Sequence, residues 1–439
     1  MEVSHRRRGN STIQQLEDAT VHGWYRFVLS YPDHLVSELI DKFDVRRKHT
    51  VLDPFVGTGT TLVECKKSGI NSVGIDANPV TAFASKVKTT WDIDLTEFDR
   101  RRHELLESIQ EPIRSIGTQY PFQLSFDDLL PHGKVLLEQS VDDYESLKLL
   151  LPKNWLSEMP LRKTLIVKRA IDELPDDAIT DIFRLALSAV VVADVSNLGF
   201  GPEVYVAKRR EDADVYGAYA EKLRRIRQDL ATIQQIPNPG TTTVYYGDAR
   251  RLTTLVEGPI DYVITSPPYP NEKDYTRITR LELILLGFIT EKSDLRQVKK
   301  EMLRSHTRNI YVADNDSVHV ADVPEIQEIA QEIERRRIER GATSGFERLY
   351  HRVATEYFGG MYRVLEQLQQ VMPPGGKLAL VVGDQMSYFR VPIHTARLLS
   401  LIACRMLHYT EVETIVWRAR RATATRMDIE EHILILERQ

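Results

Sequence analysis

Short apolar runs alternate with stretches of helical period along most of this chain. Apolar residues recur every three or four positions in several segments, as in Tyr219, Leu223, Ile226 and Leu230. Seven runs of strand length lie at residues 50–52, 72–75, 244–246, 262–264, 378–382, 412–416 and 433–436. Strands that alternate with helices favour a mostly parallel sheet with helices on both faces. The pattern therefore predicts an α/β fold around a mostly parallel, seven-stranded sheet.

The spacing of these strands predicts three parts. Residues 1–95 hold the N-terminal segment and the first two strands, and residues 241–439 hold the other strands with a polar insertion at about 290–345. About 170 residues separate the second strand from the third, which is more than one crossover helix needs. Residues 96–240 are therefore predicted to be a mainly helical insertion, with one long covered helix indicated by Ile179, Ile182, Phe183, Leu187 and Val190.

Composition excludes several classes of protein. The 439 residues are 42% hydrophobic and 28% charged, as in ordinary globular chains. No apolar stretch approaches the roughly 18 residues that span a bilayer, and none follows the N-terminal arginines, so we expect a soluble, cytoplasmic protein. Two cysteines, Cys65 and Cys404, cannot form a disulfide framework or a cysteine-rich zinc site, and we predict no metal. The net charge of -5 means that any nucleic-acid surface is a local patch.

A glycine turn follows the first predicted strand. Residues 51–61 read VLDPFVGTGTT, a strand, a turn with Gly57 and Gly59, and the start of a helix. Glycines at these two positions let the backbone bend and let a ligand approach closely. A tight turn without a ligand is the alternative, but Asp76 closes the second strand 23 residues after Asp53, where a carboxylate can accept hydrogen bonds from ribose hydroxyls. Together these features predict a cofactor that contains a nucleoside.

The residues that are missing narrow the choice of cofactor. The turn lacks the Gly-Lys-Ser/Thr of a phosphate loop and the third glycine of a dinucleotide site, which argues against ATP and NAD. Asp53, Pro54 and Phe55 place a carboxylate where an amino-acid ammonium group can sit. S-adenosylmethionine, half nucleoside and half methionine, fits these requirements.

A second motif, TSPPYP at residues 265–270, follows the strand at 262–264. Consecutive prolines stop a strand and stiffen an extended backbone, which holds the Ser266 hydroxyl and the Pro267 carbonyl in place. Two acceptors can bind the hydrogens of an exocyclic base amine, and Tyr269 can stack on the base. A base inside a duplex must first be flipped out. By itself a Pro-Pro turn is more often architecture, but beside the glycine turn it indicates chemistry on a base.

These motifs resemble those of the S-adenosylmethionine-dependent DNA amino-methyltransferases. DPFVGTGTT at 53–61, GID at 74–76 and TSPPY at 265–269 carry the resemblance, and the Ser-Pro-Pro-Tyr form is similar to the group that methylates cytosine at N4. Adenine-N6 members more often have Asp or Asn at the position of Ser266. The resemblance covers residues 20–90 and 240–439. It implies a Rossmann-like methyltransferase sheet and leaves the middle of the chain unexplained.

The resemblance also implies roles for individual residues. Asp248 and Ala249 are similar to the family's contact to the cofactor adenine, and Tyr31 lies in a segment similar to one packed at the methionine end. The glycine motif precedes the catalytic motif, which reverses the family's common order and leaves the target-recognition region open; residues 96–240 are one candidate. The cofactor set that we predict is Asp53, Pro54, Phe55, Gly57, Gly59, Asp76, Asp248, Ala249 and Tyr31, and the catalytic set is Ser266, Pro267, Pro268 and Tyr269.

The implied reaction is direct transfer of a methyl group to an exocyclic nitrogen, with the amine proton leaving to water or to Ser266. Carbon-5 methylation needs a cysteine nucleophile, typically after a proline; Cys65 follows Glu64 and Cys404 follows Ala403, which disfavours that reaction. Double-stranded DNA is the predicted partner, with a restriction endonuclease as a possible second one and no membrane. Local basic groups could neutralise phosphates, and the predicted contacts are Arg418, Arg420, Arg421, Lys208, Arg209 and Arg277.

We therefore expect a site-specific DNA cytosine-N4 methyltransferase of a restriction-modification or related defence system. Three alternatives remain open: adenine-N6 methylation of DNA, methylation of an RNA base amine, and a catalytically silent DNA-binding module.

Overall fold

The computed structural model describes residues 20–25, 27, 30–118, 144, 147–201, 203–421 and 428–439, with the backbone alone at 117, 118, 420, 421 and 428. Nine strands lie in these residues: β1 Thr50–Asp53, β2 Asn71–Asp76, β3 Leu198–Phe200, β4 Val204–Val206, β5 Thr242–Tyr246, β6 Tyr262–Thr265, β7 Lys377–Gly383, β8 Tyr409–Arg421 and β9 Asp428–Arg438. Seven of them form one sheet in the order β5-β2-β1-β6-β7-β9-β8, and β3 and β4 form a separate hairpin. The predicted α/β fold is confirmed.

The first five strands in this order run parallel, and β9 pairs antiparallel with both β7 and β8. From β1 the chain moves outward to β2 and β5, and then returns to the other side of β1 to form β6 and β7. The strand order therefore reverses between β1 and β6. In open α/β sheets, ligands bind beyond the carboxyl ends of the strands at such a switch point. The glycine turn after β1 and the Pro-Pro corner after β6 both lie there.

Helices cover both faces of the sheet. They are α1 Asp33–Lys42, α2 Thr60–Lys67, α3 Pro79–Thr89, α4 Leu95–Thr118, α5 Glu158–Asp172, α6 Ala178–Val190, α7 Val215–Ile233, α8 Tyr275–Ile278, α9 Arg280–Leu285, α10 Lys292–Glu301, α11 Pro324–Glu339, α12 Tyr350–Val371 and α13 Thr395–Met406. Val51 points to the face covered by α1 and α2, whereas Leu52 points to the face covered by α12 and α13. This alternation explains why the strands are apolar on both sides.

The helices of the insertion, α4 to α7, share one apolar core with α3. Phe98 of α4 packs edge-on against Phe183 of α6, with the ring centres 5.3 Å apart, and the Tyr219 hydroxyl of α7 donates to the Phe183 carbonyl at 3.2 Å. Val80 and Ala84 of α3 belong to the same buried cluster. The insertion is thereby fixed to the sheet. Among the described residues no helix is long and apolar enough to cross a membrane.

Residues 332–339 form a charged run within the predicted polar insertion and lie on α11. Its arginines are paired within the helix, for example Arg335 with Glu332 at 2.7 Å and Arg337 with Glu334 at 2.6 Å. On the opposite side Ile326 is buried in the same apolar cluster as α12. The run is therefore a solvated helix face.

Candidate functional site

A cavity of about 590 Å³ opens at the switch point of the sheet. This volume is within the range of about 300 to 1,000 Å³ that is typical of small-molecule sites. Both sequence motifs contribute to its wall, although they lie more than 200 residues apart. From the predicted cofactor and catalytic sets the wall contains Tyr31, Pro54, Phe55, Gly57, Asp76, Asp248, Ala249, Ser266, Pro267, Pro268 and Tyr269.

The glycine turn has the backbone geometry that only glycine adopts easily. Gly57 has a φ of +52° and Gly59 a φ of +84°. A methyl group at Gly57 would meet no atom within 4 Å, so the turn opens onto free space. A methyl group at Gly59 would lie 2.6 Å from the Ser85 hydroxyl oxygen, because α2 and α3 pack closely there. Gly57 therefore borders the cavity, whereas Gly59 serves helix packing and does not line it.

Asp76 closes β2 beside this turn. Its carboxylate accepts hydrogen bonds from the backbone N–H of Gly57 at 2.8 Å and of Asn78 at 2.8 Å. Burial raises the pKa of Asp76 to about 6, against the opposing effect of these hydrogen bonds. The carboxylate is thus fixed in position at the cavity wall and is ionised at neutral pH.

Asp53 lies behind the cavity wall and not on it. Its side chain is fully buried and accepts hydrogen bonds from the Thr265 hydroxyl at 2.5 Å, the Thr61 hydroxyl at 2.7 Å and the Tyr31 hydroxyl at 3.0 Å. The Phe55 N–H donates to the same carboxylate at 3.1 Å. Asp53 therefore joins the end of β1 to the end of β6 and to α2. The hydrogen bonds of the Asp53 carboxyl group hold the two loops together, whereas the sequence suggested direct contact with an ammonium group.

Ser266 lines the cavity at the Pro-Pro corner. The Ser266 hydroxyl donates its hydrogen to the Val381 carbonyl of β7 at 3.0 Å, which leaves its oxygen as an acceptor. The Tyr269 ring packs against Gly383 at the end of β7, where a methyl group would lie 3.0 Å from the ring. Burial raises the pKa of Tyr269, so its hydroxyl stays protonated. The corner thus combines an acceptor with an adjacent aromatic ring.

Three further residues form the wall beyond Tyr269. The Arg418 guanidinium binds one oxygen of the buried Glu431 carboxylate at 2.6 Å and lies 4.8 Å from the centre of the Trp417 ring. All three line the cavity. Arg418 lies beyond the predicted strand at 412–416, but β8 continues to Arg421 because it pairs with β9, and Arg418 is opposite Glu431 in that ladder. The side chains of Arg420 and Arg421 lie outside the described residues.

Asp248 lines the cavity but is bonded within the protein. Its carboxylate accepts from the Arg250 guanidinium at 2.8 to 3.1 Å and from the Arg250 backbone N–H at 2.9 Å. Both side chains are 6% exposed. Because these hydrogen bonds occupy acceptor positions of the Asp248 carboxylate, fewer remain for a ligand than the sequence pattern suggested.

The other predicted DNA contacts lie outside the cavity wall. Lys208 and Arg209 are exposed after the β3–β4 hairpin, and Arg209 is paired with Glu211 at 2.6 Å. Arg277 of α8 donates to the Val204 carbonyl of the hairpin at 3.4 Å and lies 3.7 Å from Glu203. None of these three residues lines the cavity at the catalytic corner. Their contact with DNA stays a prediction.

Sequence reasoning missed Glu431 and Trp417 as wall residues. Glu431 lies on the same strand face as Ile433 and Ile435, which are buried against α1. An acidic residue at such an inward position is unusual, and this could have marked Glu431 as a candidate from the sequence. Trp417 carried no comparable signal, because an aromatic residue in a strand is ordinary. His306, Asn309 and Lys273 also line the cavity and come from the polar insertion and the segment before it.

The strand order and the shared cavity define the class: an α/β protein of the Rossmann-like methyltransferase type. Comparison with known proteins finds a family match near the start of the chain. Residues 4–85 match the N6_N4_Mtase family, described as DNA methylase.

Three relatives match over most of the chain. The Type II methyltransferase M.BsoBI of Geobacillus stearothermophilus is 26% identical over 86% of this chain and 76% of its own length. The Type II methyltransferase M.AvaI of a Nostoc strain is 24% identical over 87% of this chain and 77% of its own. M.MvaI of Kocuria varians, also a Type II methyltransferase, is 25% identical over 65% of this chain and 63% of its own length. The family match and these relatives support the DNA amino-methyltransferase family that the motifs indicated.

Proposed function

We propose that this protein transfers a methyl group from S-adenosylmethionine to the N4 amino group of a flipped-out cytosine in duplex DNA. The observation that carries the proposal is that two distant loops line one cavity. In the second loop the Ser266 hydroxyl donates its hydrogen to Val381, so that its oxygen can act as a hydrogen-bond acceptor. An exocyclic amine has hydrogens to donate, and Ser266 together with the Pro267 carbonyl offers two acceptors for them. Tyr269 supplies a ring for the face of the base.

The residues fit the methyl donor that this family uses. The space beside Gly57 admits a ligand against the backbone, and the Asp76 carboxylate at the same wall can accept hydrogen bonds from ribose hydroxyls. Tyr31, Pro54 and Phe55 would lie around the rest of the donor. When bound, S-adenosylmethionine supplies an electrophilic methyl group on a sulfonium centre.

The protein's own contribution is orientation. Ser266 and Pro267 would hold the amine by its two hydrogens, which directs the nitrogen lone pair away from them. The hydrogen bond from Ser266 to Val381 fixes the rotation of the hydroxyl before the base arrives. Tyr269, packed against Gly383, would hold the base by stacking on its plane. In proteins that bind single-stranded nucleic acids, such stacking contributes about 1 to 3 kcal/mol per base.

The choice of cytosine rests on Ser266, since adenine-specific members of the family more often carry Asp or Asn at this position. Adenine-N6 transfer and transfer to an RNA base remain the alternatives. The three Type II relatives support a role as the modification enzyme of a restriction-modification system, with a cognate endonuclease as partner.

Nucleoside mass spectrometry tests this proposal. Duplex DNA and RNA are incubated separately with the protein and S-adenosylmethionine labelled in the methyl group, and the nucleosides are then separated. Label in N4-methylcytosine from DNA is the expected result. Label in adenine alone would contradict the choice of cytosine, and label in RNA alone would contradict the choice of DNA. Tyr269→Ala should reduce the transfer rate while leaving the affinity for S-adenosylhomocysteine unchanged.

A further inference from the structure

The hairpin of β3 and β4 places an exposed aromatic ring close to the cavity. Gly201, between the two strands, lines the cavity, and Tyr205 of β4 is 53% exposed. A methyl group at Gly201 would lie 3.5 Å from Cε1 of the Tyr205 ring. The ring is therefore within a few ångströms of a residue of the cavity wall.

Glycine at position 199 sets the position of this ring. Gly199 is paired with Tyr205 in the ladder, and a methyl group there would lie 2.6 Å from Cζ of the ring. The ring thus rests on the bare backbone of the opposite strand. Because this side is supported by backbone and more than half of the side chain is exposed, the ring presents a flat surface to solvent.

Buried hydrogen bonds anchor the base of the hairpin. Asn197 is 1% exposed; its side-chain amide donates to the Asn154 carbonyl at 3.0 Å, and its side-chain oxygen accepts from the Arg210 N–H at 2.6 Å. The Ala207 N–H donates to the Asn197 carbonyl at 2.8 Å, which closes the base. From the other side Arg277, which follows the catalytic corner in the chain, donates to the Val204 carbonyl. The hairpin is therefore anchored both to the helical insertion and to the segment that follows the catalytic corner.

Resting on the proposed function, we infer that the hairpin enters duplex DNA beside the target nucleotide and that Tyr205 stacks on a base next to the vacated position. Flipping a nucleotide into the cavity unstacks its neighbours, which has a cost in free energy. An aromatic ring fixed near the cavity can restore one stacking contact without reading the sequence. Lys208 and Arg209, exposed where the chain leaves the hairpin, are placed to approach the adjacent phosphates.

Binding of duplexes with a missing base tests this inference. The probes are a duplex that contains the sequence methylated by the wild-type protein and two versions that each lack one base beside the target. Affinity is measured by fluorescence anisotropy with S-adenosylhomocysteine present. Tyr205→Ala should bind the intact duplex about 5- to 150-fold more weakly, the range that corresponds to loss of one stacked base.

Two controls separate stacking from a merely structural role. Tyr205→Phe keeps the ring and should bind the intact duplex like the wild type. On the duplex that lacks the stacked base, Tyr205→Ala and the wild type should have the same affinity. The affinity of Tyr205→Ala for S-adenosylhomocysteine without DNA should also be unchanged.

The inference is overturned if Tyr205→Ala binds the intact duplex like the wild type, or if its loss of affinity is the same on all three duplexes. The proposed function fails differently, by the absence of label in DNA cytosine, and that result can occur whatever Tyr205 does. A wild-type protein that binds no duplex would contradict both.

Discussion

At the scale of single residues, two aspartates that close neighbouring strands have opposite roles. Asp53 and Asp76 both end a strand before the same ligand edge of the sheet. Asp53 is surrounded by protein hydroxyls, whereas Asp76 accepts two backbone N–H groups and faces the cavity. Strand position was predictable from the sequence. The partners of each carboxylate were not, because Thr265 reaches Asp53 from a strand more than 200 residues later.

The pKa of Asp76 predicts how donor binding depends on pH. Because this pKa is raised to about 6, the carboxylate is ionised at pH 7.5 and takes up a proton as the pH falls through 6. Protonation removes an acceptor for the ribose hydroxyls. Affinity for S-adenosylhomocysteine should therefore be constant above pH 7 and fall by up to about tenfold per pH unit below 6.

Titration calorimetry between pH 5 and 8 measures this effect. Asp76→Asn is the matched control, since it retains an acceptor oxygen but has no proton to gain in this range. It should bind more weakly than the wild type at pH 7.5 and show no step near pH 6. The same step in Asp76→Asn would assign the pH dependence to another group.

At the scale of elements, the strands of the large sheet and the long helices were predictable because their periodicity is local. All seven predicted strand segments lie within strands of the sheet, and the pattern beginning at Tyr219 lies within α7. The β3–β4 hairpin was not predicted as strands, because each of its strands has three residues and a glycine interrupts the first. Such short segments become strands by pairing with each other and not by an alternating pattern.

The two glycines after β1 should differ in their effect on stability and on ligand binding. Alanine at either position meets a positive φ, which costs about 1 to 2 kcal/mol. Only at Gly59 does the methyl group also collide with α3, through Ser85, and this crowding adds about 1 to 3 kcal/mol. Gly59→Ala should therefore lower the free energy of unfolding more than Gly57→Ala.

Urea unfolding without ligand compares the two variants, and calorimetry with S-adenosylhomocysteine gives their affinities. Gly57→Ala, whose methyl group enters the space beside the cavity wall, should lose more affinity relative to its loss of stability. Equal destabilisation by both substitutions would contradict the packing role of Gly59.

At the scale of the whole molecule, a buried charge network joins the region after β5 to the polar insertion and to α12. The Asp316 carboxylate accepts from the Arg250 guanidinium at 2.6 Å and from the Arg363 guanidinium at 2.7 Å. Arg250 also holds Asp248, which lines the cavity. The insertion is thus connected to the ligand site through paired side chains.

Removing Asp316 should destabilise the fold. Arg250 is 6% exposed, and it would keep Asp248 but lose its second carboxylate, so Asp316→Ala should lower the free energy of unfolding by about 3 kcal/mol. Urea denaturation measures this change. Glu339→Gln, which breaks an exposed pair with Arg335, is the control and should leave the midpoint unchanged. A midpoint for Asp316→Ala equal to that of the control would show that the buried network contributes little.

Local information was sufficient to predict the alternation of strands and helices and the two motifs with the family that they resemble, because each of these depends on residues close together in the chain. Folding decided which polar groups face the ligand space: Asp53 is turned inward, Asp76 outward, Glu431 is buried beneath Arg418, and Tyr205 is set against a bare strand. The reason is that solvent exposure and hydrogen-bond partners depend on which segments pack together in the folded chain, as where Thr265 of β6 meets Asp53 of β1.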